Sequence, residues 1–302
     1  AIEAYRKGGF GQLVLDGKRE YIERYNFASS FWAGRDRAKL PQVVAELKTN
    51  MKDVATYYHA TAQTSKKIDD YMVAARWYRD YLASFPDDPE SASTNYLLGE
   101  TLFESRQYAD AATEYEKTAY GYPKNARSAA AGYAALVAFQ KERERLTGDA
   151  QAAWHLRQID ANIKFSQTFP EHPDSGGVFT RAAEDVFKLN DLPRSIEVAN
   201  LVLQHAPPVD APKQRIAWTI IAQSNFDLGK YPEAEQAYVR ARELLPAGDP
   251  QRKDLTERLA ASVYKQAEAK RASGDGTGAV DDFLRVAALA PDSTIRATAE
   301  YD

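Results

Sequence analysis

The stretch Asn95–Pro123, NYLLGETLFESRQYADAATEYEKTAYGYP, decides the fold. It holds two apolar runs separated by a polar turn. The first run carries Leu98-Gly99, and the second carries Ala111 and Tyr115. A small residue such as Gly99 lets two helices approach closely. A ring such as Tyr115 then fills the gap between one helix pair and the next. Pro123 ends the second run, because a residue without an N–H cannot continue a helix.

The pattern alanine, aromatic four residues on, proline eight beyond that, recurs along the chain. It appears as Ala74/Tyr78/Pro86, Ala111/Tyr115/Pro123, Ala234/Tyr238/Pro246 and Ala279/Phe283/Pro291. Weaker copies end at Pro170 and Pro207, and the proline intervals are 37, 47, 37, 39 and 45 residues. Each copy is preceded by another apolar run. In AWTIIAQSNFDLGKYPEAEQAYVRARELLP, Ala217–Pro246, that run carries Trp218 and Ala222. A helix pair of this kind cannot bury its apolar face alone, so stacking of pairs makes one continuous core.

These units resemble the tetratricopeptide repeat, a helix hairpin of about 34 residues. The resemblance rests on Gly99, Ala111, Tyr115 and Pro123 in one unit. In the other it rests on Trp218, Ala222, Ala234, Tyr238, Ala241 and Pro246. It covers residues 55–302 and is blurred over 126–207. It implies an all-α fold, a right-handed superhelical solenoid of about six stacked antiparallel helix hairpins. Residues 1–54 then form an N-terminal helical region with a partial repeat. There GKREYIERYNFASSFWAG, Gly17–Gly34, reads as a helix, and Lys39–Lys67 as one long helix opened by Pro41. The first residues, AIEAYRK, look like the second half of a helix. The last, DSTIRATAEYD from Asp292 to Asp302, start a hairpin and stop. Both ends are therefore expected to belong to a longer protein.

Some hairpins exceed the usual length, as in Asn125–Pro170, where two long helices meet near Thr147-Gly148-Asp149. With linkers of the FPDDP and YPKNA kind, they resemble the barrel-assembly lipoprotein and Tol-Pal-associated proteins of bacterial envelopes. That likeness implies a periplasmic or outer-membrane setting and a larger envelope assembly; the alternative is cytoplasmic. The repeat resemblance also implies a concave binding face lined by the first helix of each hairpin. Its residues here would be Tyr96, Glu100, Phe103, Tyr133, Val137, Gln140, Glu184, Thr219, Gln223, Phe226, Tyr264 and Glu268. Tyrosines among glutamates and glutamines suit an extended peptide or partner protein. No Lys/Arg cluster repeats at these positions, which counts against a clamp for an acidic C-terminus.

Composition narrows the choices. The chain has 302 residues, 27% of them charged, and a net charge of −4, so it lacks a strong nucleic-acid footprint. Residues 1–80 carry 14 Lys/Arg against 10 Asp/Glu, a modest basic end on an acidic body. The absence of cysteine excludes disulfides, thiolate metal sites and cysteine nucleophiles. No apolar run approaches the roughly 18 residues of a membrane span.

The side chains that could carry chemistry have plainer readings. Asp87, Asp88 and Glu90 in SFPDDPESA could form a carboxylate site, but the linker recurs as FPEHPDSGG and at Asp249-Pro250. A helix start explains it better, with Asp88 as N-cap, Pro89 at the first helical position and Glu90 in the first turn. Asp210 and Asn125 are looser copies. His59, His155, His172 and His205 show no HExxH spacing. His59 is expected to be half-exposed on the inner face. KGGFGQ, from Lys7, lacks the features of a phosphate loop, and SGDGTG, from Ser273, reads as a turn. KERERL, from Lys141, reads as a solvated helix extension, and most of the tryptophans as core. No catalytic residue, metal or cofactor is expected. The reading is a non-enzymatic scaffold for a protein or peptide partner. The alternative is a regulatory or substrate-recruiting segment of a larger enzyme.

Overall fold

The computed structural model describes residues 1–301, leaving the last residue of the C-terminal segment, Asp302, outside the described residues. Fifteen α-helices and no strand are found among them. Six consecutive hairpins are α3/α4 (Pro41–Ser65, Ile68–Ser84), α5/α6 (Ser91–Glu104, Tyr108–Glu116), α7/α8 (Ser128–Arg145, Gly148–Thr168), α9/α10 (Ser175–Lys188, Leu192–Leu203), α11/α12 (Ala211–Asp227, Tyr231–Glu243) and α13/α14 (Gln251–Ala272, Gly276–Leu289). Two helices, α1 (Ile2–Lys7) and α2 (Gly11–Tyr25), precede them, and α15 (Thr294–Tyr301) follows. The fold is thus all-α and made of stacked hairpins. The chain divides into two compact units, 1–158 and 159–302, and α8 supplies residues to both.

Within the first unit, α3 begins at Pro41, so residues 54 and 55 both lie inside this helix. Leu47, Met51, Val54, Ala55 and Ala62 recur on one face of it and are buried. Such spacing is what a helix needs to bury one stripe. Helix α2 stops at Tyr25, earlier than the expected Gly34. The side-chain amide of Asn26 donates to Glu23 O (2.8 Å), and its Oδ1 accepts from Ala28 N (3.0 Å). A side chain that competes for backbone partners in this way favours a turn over a helix. Residues Ser30–Trp32 then form a short 3-10 turn. The Trp32 indole donates to Tyr25 O (2.8 Å), and Phe27 meets Phe85 at the end of α4 with ring centroids 5.3 Å apart. These aromatic contacts hold the N-terminal segment on the first hairpin. Trp32 is the one buried tryptophan; the other three are half-buried.

In the second unit, Phe179, Val186, Val198, Ile220, Ile221 and Tyr238 form a core with small residues from Ala182 to Ala241. A further cluster gathers Ala260, Val263, Ala267, Phe283 and Val286.

The turn inside a hairpin has a common geometry in four copies. Arg106, Asn190, Gly229 and Gly274 occupy equivalent positions and share left-handed φ values of 63, 59, 74 and 87°. Reversal within two or three residues requires one such residue after the first helix. Glycine takes that conformation without a Cβ clash. The prolines fall just past the second helices, as at Pro86 after Ser84 and Pro246 after Glu243.

The joints between hairpins correct the capping assignment. Helix α5 starts at Ser91, with Glu90 at its N-cap position, so Asp88-Pro89 lies before the helix. Asp88 Oδ1 instead accepts from Glu90 N (2.9 Å), and Ser91 N donates to Asp88 O (2.8 Å). The same turn recurs at Asn125 with Arg127 N (2.9 Å), at Asp249 with Gln251 N (2.8 Å), and through the His172 ring with Asp174 N (3.3 Å). A side-chain acceptor two residues upstream of an N–H makes an Asx turn. It sets the chain's entry to the helix rather than capping it. Asp210, Asp191 and Asp275 are the true N-caps: each accepts the N–H three residues on.

Candidate partner-binding face

Gly99 and Tyr115 position the first-helix face of α5. A Cβ on Gly99 would lie 2.7 Å from the Tyr115 ring, so glycine lets α5 and α6 close up. Three residues before Gly99, Tyr96 lays its ring 5.5 Å from that of Tyr115. The equivalent pair in the first hairpin is His59 and Tyr78, and in the last it is Tyr264 and Phe283, 5.5 Å apart. Several residues expected to be open for binding therefore pack inside their own hairpins. Phe103 meets Tyr108 at 5.1 Å, and Phe226 meets Tyr231 at 5.4 Å.

The twelve candidates are half-buried, apart from the exposed Gln140. In the first unit, Arg127 places its guanidinium 5.0 Å from the centre of the Tyr96 ring, a cation–π contact. Glu100 lies beside them. Burial raises its carboxyl pKa above the ordinary value; Arg127 opposes that rise, Glu104 adds to it, and the Tyr96 hydroxyl works against it. One turn of α7 beyond Tyr133 and Val137, the Gln140 amide donates to Glu144 (3.0 Å). The result is an aromatic, weakly acidic surface with one arginine at its edge.

In the second unit, Gln223 is already engaged. Its Oε1 accepts from Tyr238 OH (2.8 Å) and from Arg258 Nη1 (2.7 Å), and Arg258 Nε donates to Asp254 (3.0 Å). This network ties α13 to α11. Thr219 Oγ1 donates to Arg215 O (2.8 Å), and Glu268 accepts from Lys265 Nζ (2.6 Å). Glu184 is half-buried on α9. Partner groups at Gln223 would have to add to bonds already made.

His59 is not half-exposed as expected, but 6% exposed. Its Nδ1 lies 3.0 Å from Tyr78 OH, and burial lowers its pKa. Burial likewise pushes the Tyr78 hydroxyl up to about 12. The repeat register puts His59 where Tyr96 sits, and its ring likewise turns into the hairpin, to meet Tyr78.

One pairing had no signal in the sequence. Ser175 Oγ lies 2.8 Å from His205 Nε2, and His205 Nδ1 lies 2.6 Å from Pro207 O. A carbonyl only accepts, so Nδ1 carries the proton; in the neutral ring Nε2 then accepts from Ser175. The pair has the connectivity of a serine nucleophile and its base. Yet Ser175 is 0% exposed, and it occupies the joint position that Ser91 and Ser128 fill elsewhere. It bonds a joint together and meets no solvent. Among the described residues, no three His, Asp or Glu side chains converge to hold a metal ion. No described helix is long and apolar enough to cross a membrane.

The tetratricopeptide-repeat family profile matches residues 62–130 and 180–249. No curated protein sequence matches. Among solved structures, YrrB, a TPR protein described as having an unusual peptide-binding site, is 13% identical with TM-score 0.34, covering 73% of this chain and 97% of its own. A tetratricopeptide repeat protein from Parabacteroides merdae is 12% identical with TM-score 0.34, covering 82% and 96%. The C-terminal part of a TPR protein from Cytophaga hutchinsonii is 11% identical with TM-score 0.34, covering 99% and 97%. The family match and the hairpin geometry agree on the same segments. The chain is an all-α protein of stacked helix hairpins whose segments 62–130 and 180–249 match the tetratricopeptide-repeat family profile.

Proposed function

We propose that the protein is a scaffold that binds a protein or peptide partner on the solvent-facing side of its first helices. The observation that carries this reading is the Tyr96–Glu100–Arg127 group on α5 and its joint to α7. There a ring, a half-buried carboxylate and a guanidinium share one surface. Rings cover apolar side chains of a partner, while the charged groups fix its polar atoms. Repeat hairpins support such a role because stacking builds an extended face without a deep pocket. In this reading the corresponding residues of the second unit, Thr219, Gln223, Phe226, Tyr264 and Glu268, form a second contact area, with Glu184 beside them.

Glu100→Lys is the direct test, since it reverses the charge at the centre of this group. Recovery of partner proteins by the immobilised chain, measured by quantitative mass spectrometry, should fall at least fivefold for the leading partner. Recovery equal to wild type, from a variant with an unchanged melting midpoint, removes α5 from the binding face.

The lengthened hairpins and the lack of cysteine support placing this scaffold in a bacterial envelope complex. Cell fractionation tests the placement. Recovery with soluble cytoplasmic markers would exclude it.

A further inference from the structure

A cleft of ≈ 1170 Å³ lies between α2 and α4, with α3 beneath it. It is separate from the first-helix face described above. Its apolar wall is formed by Tyr58, Val73 and Trp77. The Tyr58 and Trp77 rings stack within 5° of parallel, and Val73, one turn before Trp77, is 40% exposed. An apolar side chain exposed to this extent beside two half-buried rings is surface that a partner could cover.

The opposite wall is α2, which presents Asp16, Arg19, Glu20 and Glu23 to the cleft. These positions follow helical spacing, so they share one side of α2. Arg19 leans towards Asp16, at 3.9 Å. Of the two other arginines at the cleft, Arg37 lies 4.0 Å over the Phe27 ring, and Arg76 sits on α4 one turn before Asp80. Glu20 and Glu23 are therefore left as exposed carboxylates facing an apolar wall. The lining along α2, from Asp16 to Asn26, corresponds to roughly 15 Å of helix, or about three turns.

We propose that this cleft is a second docking site, which takes an amphipathic helix with an apolar stripe and flanking lysines or arginines. The stripe covers Tyr58, Val73 and Trp77, and the cations meet Glu20 and Glu23. A helix lying between two helices can present both at once, as in helix-in-groove recognition. An acidic helix would place like charges against α2, which disfavours it.

Fluorescence anisotropy with a labelled 14-residue peptide tests this. One peptide carries leucine at helical spacing with lysine elsewhere; its counterpart has glutamate in place of lysine. The full chain should bind the lysine peptide at least tenfold more tightly than the glutamate peptide. Glu20→Lys with Glu23→Lys should weaken binding at least tenfold, and Val73→Asp should weaken it comparably. All three positions are exposed, and the melting midpoint checks that each variant is folded. Glu233→Lys with Asp281→Lys, the same charge change on the second unit, should change affinity less than twofold. Absence of binding overturns the proposal. So do equal binding of the two peptides and equal weakening by the control pair. A chain that dimerises in sedimentation and becomes monomeric only in the Glu20/Glu23 variant also overturns it, since the cleft would then hold a second copy.

Discussion

The rings of Tyr96 and Tyr115, nineteen positions apart in sequence, sit 5.5 Å apart over Gly99. His59 and Tyr78, and Tyr264 and Phe283, also nineteen positions apart, make the corresponding contact at 5.7 and 5.5 Å. This contact closes a hairpin, and it depends on a small residue at the crossing point. Gly99→Ala drives a methyl into the Tyr115 ring, which is itself buried. Overpacking of this kind costs about 1–3 kcal/mol. Urea denaturation should show that loss, whereas Gly248→Ala, where no atom lies within 4 Å of the added Cβ, should change stability much less.

The hairpin turns make a second prediction. Gly229 holds φ 74°, a conformation that costs an L-residue about 1–2 kcal/mol. Gly229→Ala should lower stability by about that amount. Asn190→Gly, at the equivalent position with φ 59°, removes the Cβ from a left-handed backbone position and should leave stability within about 1 kcal/mol of wild type. An equal loss in both variants would contradict the common turn geometry.

Asp88 holds the joint before α5. Its carboxylate bonds Glu90 N, Tyr81 OH and Lys48 Nζ, the last at 2.5 Å from α3. Partial burial works to raise its pKa, but Lys48, the Glu90 N–H and Tyr81 outweigh that and hold it below the ordinary value. A depressed carboxylate contributes stability above its unfolded pKa and loses it as pH falls through the folded pKa. Asp88→Ala should therefore cost about 1–3 kcal/mol at neutral pH and little under strongly acid conditions. Thermal melts at pH 7 and pH 2.5 check both parts.

His59 acts in a different pH window. Its pKa is lowered by burial, so between that value and about 6.5 the unfolded chain binds the extra proton. Its contribution is complete above about 6.5 and is lost as pH falls towards the folded pKa. The decline in stability between about pH 7 and pH 5 should be shallower in His59→Gln than in wild type. An identical slope in the two proteins would show that His59 titrates alike in both states.

Much of the architecture was legible because the repeat marks itself. Gly99, Tyr115 and Pro123 each do one local job, and their recurrence fixes the hairpins without long-range information. The site was less legible. Spacing puts Tyr96 and Tyr264 on the concave-facing side of a first helix, but χ angles decide whether such a ring faces solvent or folds back on Tyr115 or Phe283. Left-handed Arg106 and Asn190 carry no glycine to announce them. Asp88-Pro89 looks like a cap followed by a first helical residue, and only the hydrogen bond to Glu90 N reveals an Asx turn two residues early. The contact of Ser175 with His205 and the cleft between α2 and α4 depend on residues far apart in sequence, which periodicity cannot pair.

Site-specific photo-crosslinking tests the central claim most directly. A benzoylphenylalanine placed at Gln140 or Thr219, on the first-helix face of its own unit, should capture one and the same partner polypeptide from cells. The same group at Glu233 on α12 or Asp281 on α14 should capture none. Capture of that partner from the second-helix positions, with no adduct at Gln140 or Thr219, would contradict a scaffold that binds through its first helices.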